Sequence, residues 1–300
     1  MPTPSEFQDA TPLLSDAEAL RQRLATDGFL FFHQLLPRAN VLELRRQILL
    51  VCQKYGWIAP GTDLMDGMAD PSVDQMEPFC GVGVTQAAYQ DVYRLEAFHR
   101  LAHHPAIMGV LESIMGETVL AHPRNIARLM LSTKLNAPTP PHQDHIFIQG
   151  TKTVFTCWLP LGDCPQSLGG LSALRGSPRL GLLPVREALG AGGRSVVLDG
   201  VEQDWSQGDY EAGDVLLFHS LTVHKALPNQ HAERIRLSCD YRYQPISLPV
   251  EEKSLRPHCD VLTWDDAYAG WQSKDLQYYW RKYDLDMQEF DDSLLAIQTG

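Results

Sequence analysis

Apolar residues recur at two periods along the chain, and the change from one to the other organises it. The first hundred or so residues carry the helical period. Residues 1–14 read as a frayed terminus. Ser15 with Glu18 forms a capping-box pattern, so "DAEALRQRLATDG" predicts a helix closed by Gly28. "FLFFHQLL" predicts a buried strand. Pro37 then opens a second helix, in which Val41, Leu44, Ile48 and Val51 fall on one face. "QAAYQDVYRLEAFHRLAHHPAIMGVLESIMG" predicts two more helices broken near Pro105. Residues 57–84 between them are rich in Gly, Pro, Asp and Met and follow no period, which predicts a functional loop.

From Thr118 the pattern shortens and becomes β-like. "TVLAHPRNIARLMLST", "DHIFIQG", "TVFTCWLPLGD", "GLSALRG", "DVLLFHSLTVH" and "RIRLSCDYRYQP" are punctuated by Gly, Pro, Asp and Asn. They predict a sandwich or small barrel. "GAGGRSVVLDG", at 190–200, predicts a mobile connection between strands; its glycines lack the strand-to-helix setting of a phosphate-cradling loop. The tail "TWDDAYAGWQSKDLQYYWRKY" predicts an aromatic helix packed on the β core. The expected organisation is a single domain, 1–300. It divides into a mostly helical part (1–117), a β core (118–245) and a helical extension (246–300), with 57–84 and 180–212 covering the site. Met65, Met68, Trp205 and Tyr210 are candidates to line that cover.

Composition narrows the class. A hydrophobic content of 44% is ordinary for a globular chain, and a net charge of −12 argues against a nucleic-acid partner. No run of about 18 apolar residues occurs, so no membrane span is expected. The opening residues lack the basic and apolar regions of a signal peptide. The six cysteines form no C-x-x-C pair and read as reduced and mostly buried, which favours a cytoplasmic location. Oligomeric state is not readable.

The chemistry gathers around "PHQDHIFIQG". At the mouth of a strand, His142 and Asp144 face one way while Gln143 and His145 face the other. A polar turn before a buried strand would explain the same residues, so a distal partner has to decide. "GDVLLFHSLTVHKALPN" supplies His219 and His224, whose offset puts them on opposite faces of an unbroken strand. His224, near turn residues at the strand end, is the preferred third ligand; His219 is read as packing. Two histidines and a carboxylate leave octahedral positions open, which suits non-heme Fe(II) that must also bind a cosubstrate and O₂. Catalytic zinc uses similar ligands, and ligand type alone leaves both metals open. In "ERIRLSCDYRY", Arg234, Arg236 and Ser238 share one strand face. A buried guanidinium needs an anion. A dicarboxylate that chelates the metal would supply one, and Arg binds carboxylates bidentately.

With "HQDH", "WLPLGDC", "GGLSALRGS", "GDVLLFHSLTVHKALPN" and "RIRLSCDYRY" in this order, the chain resembles the phytanoyl-CoA dioxygenase family over roughly residues 118–245. The resemblance implies a mainly β fold with flanking α-helices: a double-stranded β-helix (jelly-roll, cupin-like) core braced by N- and C-terminal helices. It implies Fe(II), 2-oxoglutarate and O₂, with release of succinate and CO₂ and hydroxylation or desaturation of a small-molecule substrate. It implies His142, Asp144 and His224 as iron ligands. Arg234 is implied as the residue for the far carboxylate of 2-oxoglutarate, with Arg236 as alternative, Trp158 lining the cosubstrate pocket and Arg128 reaching cosubstrate or substrate. Asp144 stands where related halogenases carry a small residue, which favours hydroxylation or desaturation. Two departures are visible. Ala226 replaces a serine that touches the cosubstrate in some members, and Pro178 replaces a histidine after the GGL turn. The other readings are a cupin-like zinc hydrolase or isomerase, and a non-catalytic binding protein on the same scaffold.

Overall fold

The structure is a computed structural model that describes residues 3–75, 77–131, 137–231 and 233–297. The end of the "TVLAHPRNIARLMLST" segment lies outside the described residues. The chain opens with β1 (Ser5–Glu6), which pairs in parallel with a later strand, so this terminus is part of the fold. Helix α1 (Ala17–Asp27) is capped by Asp16, not Ser15: the Asp16 carboxylate accepts from the Ala19 N–H at 3.0 Å. Asp is an equally good N-cap, and its position one residue later fixes the start. Gly28 closes α1 at φ 86°, as expected of a left-handed C′ position.

Strand β2 (Phe29–Phe32) follows, then α2 (Arg38–Lys54). The next helical stretch is three helices, not two: α3 (Gln86–Tyr93), α4 (Glu96–Ala102) and α5 (Pro105–Met115). The extra break falls at Leu95, whose backbone is extended, and no Gly or Pro announces it.

The β region runs through β3 (Val119–Ala121), β4 (Ile126–Met130), β5 (Phe155–Pro160), β6 (Leu171–Leu174), β7 (Val185–Glu187) and β8 (Arg194–Val196). It continues with β9 (Trp205–Gln207), β10 (Val215–His219), β11 (His224–Ala226) and β12 (Arg236–Pro245). Two sheets face each other without closing into a barrel. The larger has the order β2-β10-β5-β12-β3, with β4 also on β12; the smaller has the order β1-β9-β6-β11. β7 and β8 pair antiparallel, so much of the glycine-rich 190–200 segment belongs to a hairpin and is not a free connection.

β12 shows how the site is positioned. All ten of its residues are buried. Leu237, Cys239, Tyr241 and Tyr243 belong to the apolar core that the helices complete; the Tyr241 and Tyr243 hydroxyls donate to the carbonyls of Phe98 and Ala102 on α4. By the period of two, Arg236, Ser238, Asp240 and Arg242 face the other way, between the sheets. A strand with a polar face normally turns that face to water. Here it turns inward.

The C-terminal extension is not a long helix. Among the described residues only α6 (Trp264–Tyr268) is α-helical; the rest is short 3₁₀ turns, two two-residue strands and irregular chain. Its aromatic residues still dock, with Trp280 buried in the main core. Two of the six cysteines are not reduced: Cys80 and Cys259 form a disulfide across 179 residues. Spacing along the chain carries no signal for so distant a pair. The other four are free and buried.

Candidate active site

His142 does not sit in a regular strand. It makes one antiparallel bridge with His224, each backbone N–H donating to the other's carbonyl at 3.0 Å. Gln143 is extended, and Asp144–Ile146 then forms a 3₁₀ turn, so the expected strand over "DHIFIQG" is absent. The three side chains still converge. Residues opposite each other across an antiparallel bridge project to one side, so the bridge aims both imidazoles alike, and the turn folds Asp144 back toward them. The chain also breaks between His219 and His224. β10 ends at His219 in the larger sheet, and β11 begins at His224 in the smaller one. His219 packs on Phe155 instead.

Ligand atoms of His142, Asp144 and His224 all lie within 4.8 Å of one another. Asp144 Oδ1 is 3.6 Å from His142 Nε2 and 3.8 Å from His224 Nε2. Both Nδ1 atoms are engaged, His142 with the Pro140 carbonyl at 2.8 Å and His224 with the Thr222 carbonyl at 3.0 Å. A carbonyl can only accept, so Nδ1 carries the proton and Nε2 is left as a lone pair facing its neighbours. Asp144 Oδ2 is held from behind by the Thr156 hydroxyl at 2.6 Å and Arg242 at 3.5 Å. One oxygen is thus oriented and the other presented.

Electrostatics match a cation site. Burial works to raise the Asp144 pKa, but Arg242, His142 and His224 outweigh it and hold the carboxyl well below its usual range. Burial, then the neighbouring His142, depresses His224 to about 3. The triad is therefore an anion with a neutral imidazole beside it, the protonation state a metal requires.

Two chambers meet at the triad. The inner one is lined from the strands by Thr156, Trp158, Phe218 and Arg236, among others. Arg236 is 6% exposed, forms no ion pair among the described residues, and spends one N–H on Ser238 Oγ at 2.9 Å. The indole N–H of Trp158 is buried without a partner among the described residues. Arg234 lies outside both chambers. It precedes β12 in a backbone bridge to Met68, so the strand parity that would pair it with Arg236 does not reach it. Arg128 lines both chambers but is already engaged, with Asp240 at 2.9 Å and the Gly81 carbonyl at 3.5 Å.

The outer chamber is reached by Cys80 from the 57–84 loop and by Ala191 and Gly192 from the 180–212 segment. Met65, Met68, Trp205 and Tyr210 do not line it. Gly192, at φ 80°, makes room for Phe147: a Cβ there would meet the Phe147 ring at 2.7 Å. Cys80, His258 and Cys259 form a second tight cluster, but the disulfide consumes both sulfurs.

The sequence reading missed Thr156, Asp240 and Arg242. Register could have found them. Asp240 stands opposite Trp158 and Arg242 opposite Thr156, so continuing the alternation from Arg236 and Ser238 along β12 leads to both.

Comparison with known proteins agrees with this geometry. The family model for phytanoyl-CoA dioxygenase matches residues 24–237. A 1-deoxypentalenic acid 11-beta-hydroxylase from Streptomyces arenae is 31% identical over 283 residues, 90% of this chain and 95% of that one. The human peroxisomal phytanoyl-CoA dioxygenase is 25% identical, over 79% of this chain and 72% of its own. Among solved structures, the epimerase SnoN in complex with Fe³⁺, alpha ketoglutarate and nogalamycin RO superposes with a TM-score of 0.55 at 22% identity, covering 79% and 86% of the two chains. EvdO2 from Micromonospora carbonacea var. aurantiaca, complexed with 2-oxoglutarate, gives 0.53 at 18%, covering 76% and 90%. The match of the family model over most of the chain, on a jelly-roll carrying this triad, shows that the chain belongs to the phytanoyl-CoA dioxygenase family of Fe(II)- and 2-oxoglutarate-dependent oxygenases.

Proposed function

We propose that the protein hydroxylates a small organic molecule, with His142, Asp144 and His224 holding Fe(II) and Arg236 holding the far carboxylate of 2-oxoglutarate. The observation that carries this reading is a single cavity containing both the three converging ligand atoms and a buried arginine without a counter-ion among the described residues. With 2-oxoglutarate bound, iron supplies the activation of O₂ coupled to loss of CO₂ and formation of succinate, and with it the oxidation of a substrate C–H bond. The chain supplies position and shelter. The two Nδ1–carbonyl contacts fix the imidazoles, and Thr156 and Arg242 orient Asp144. Trp158 offers a free N–H beside Arg236 for the cosubstrate. Burial of the whole triad keeps bulk water from the reacting centre.

Arg236 also weighs against the zinc hydrolase and the non-catalytic reading, since neither gives a buried guanidinium in this chamber an anion. The matched hydroxylases support hydroxylation; desaturation is the alternative outcome at the same site. Product mass separates them, by the gain of one oxygen against the loss of two hydrogens. The test of the reading is succinate release from 2-oxoglutarate, which is expected to require both Fe(II) and O₂. Turnover that persists without O₂ would refute it.

We read the whole chain, 1–300, as one oxygenase unit, because β1 and β2 from the helical N-terminal part are strands of the two core sheets. The partner is a small molecule, not nucleic acid or membrane, in keeping with the net charge of −12 and with no described helix long and apolar enough to cross a membrane. We place it in the cytoplasm on its four free buried thiols. The Cys80–Cys259 disulfide argues the other way, and thiol alkylation of protein taken directly from cells decides between them.

A further inference from the structure

Three guanidinium groups line the outer chamber: Arg124, Arg128 and Arg242. Two of them have carboxylate partners, although Arg242 meets them through Nη2 alone and leaves Nε and Nη1 buried without a hydrogen bond among the described residues. Arg128 pairs with Asp240 at 2.9 Å, and Arg242 lies 3.5 Å from Asp144 and 3.8 Å from Asp240. Arg124 is not matched. Its Nε is buried with no hydrogen-bond partner, and it forms no ion pair among the described residues. Glu251 is the carboxylate whose charge acts on it, but that carboxylate accepts instead from the Lys253 N–H at 2.7 Å and the Ser254 hydroxyl at 3.5 Å. Burial, then the like charge of Arg242, pulls the Arg124 pKa below its ordinary value. The group is thus a half-buried cation with no anion in contact among the described residues.

Of these three, Arg124 is the one with no carboxylate in contact among the described residues. The remaining wall beside it is apolar: Ile126, Phe147 and Ile148. A single guanidinium matches the two oxygens of a carboxylate in one bidentate contact.

We propose that Arg124 recognises a carboxylate on the primary substrate, so that the substrate class is an apolar organic acid whose hydrocarbon frame lies along Ile126, Phe147 and Ile148. The matched hydroxylases act on a named acid, but the case here rests on this chain's own unmatched arginine. The inference builds on the oxygenase reading above and can fail without it.

The test uses the Fe(II)- and 2-oxoglutarate-loaded protein under anaerobic conditions. Binding of decanoate, 1-adamantanecarboxylate and a tricyclic diterpene carboxylate is measured by calorimetry, each against its methyl ester and its primary alcohol. The acids are expected to bind about 10- to 100-fold more tightly than their neutral counterparts, the worth of a charge-assisted contact. Arg124→Gln should erase that preference, and Arg124→Lys should keep part of it. Retained 2-oxoglutarate binding reports that each variant is folded. If no variant folds, the wild-type comparison of acid with ester decides alone. Acids that bind no better than their esters and alcohols, or do not bind at all, overturn the inference; so does a preference that survives Arg124→Gln. Absence of 2-oxoglutarate binding to the wild-type protein would instead sink the oxygenase reading.

Discussion

The inner and outer chambers share a wall that includes His142, Asp144, Arg128 and Arg242, yet they are built of different material. Beyond that wall, the inner chamber is lined by strand residues: Thr156 and Trp158 on β5, Leu171 on β6, Phe218 on β10, His224 and Ala226 on β11, and Arg236 and Asp240 on β12. The outer chamber beyond the wall is mostly loop, turn and 3₁₀ backbone, contributed by segments near residues 80, 124, 147, 191 and 258. The difference separates two tasks. Binding iron and cosubstrate needs side chains fixed to a fraction of an ångström, which a hydrogen-bonded sheet provides. Choosing a substrate needs a surface that can change without disturbing the sheet, which loops provide.

Breaking the shared wall should damage both chambers most. Asp144→Ala is expected to lower metal affinity by more than about 100-fold, since loss of a supporting residue alone costs about 10- to 100-fold; metal titration checks it. Arg236→Gln should touch the inner chamber only, raising the Kd for 2-oxoglutarate by about 10- to 100-fold. Arg234→Gln should change it by less than about threefold, and the reverse pattern would return the cosubstrate contact to Arg234.

Thr156→Val removes the hydroxyl that holds Asp144 Oδ2 and keeps the volume. It should cost about 10-fold in metal affinity, and an unchanged affinity would show that Arg242 alone orients the carboxylate. The smallest effect expected is on the scaffold around both chambers. Burial pushes His99 and His122 down to about 4. Their folded values lie below the unfolded value, so the stability they confer is present above about pH 6.5 and is lost as pH falls toward 4. The unfolding free energy from urea titrations should fall by about 1 kcal/mol for each histidine between pH 7 and about 5.5.

The division between the chambers also governs what the sequence made legible. Strand-borne features follow a period, so "GDVLLFH" and "RIRLSCDYRY" could be read as strands and Arg236 placed on an inward face. The proposed iron ligands were legible as types at a spacing, although the parity invoked for His142 and Asp144 belongs to a strand that is not there. A bridge to His224 and a 3₁₀ turn do the same work. Arg234 and Arg236 could not be separated, because where β12 begins depends on a backbone contact with Met68, 166 positions earlier. Loop-borne features follow no period. Arg124 in "HPRN" and the Cys80–Cys259 pair carry no local mark, since what matters is which distant segment comes to lie beside them.

The central claim is that three side chains and one arginine, brought together between two sheets, hold iron and 2-oxoglutarate in one cavity. Anaerobic titration of the metal-free protein with Fe(II) and 2-oxoglutarate tests it most directly, through the weak visible charge-transfer band of the chelated pair. The band is expected in the wild-type protein, to be lost in His142→Ala and His224→Ala, and to need more 2-oxoglutarate in Arg236→Gln. No band in the wild-type protein, or a band of full strength in His142→Ala, would contradict the account.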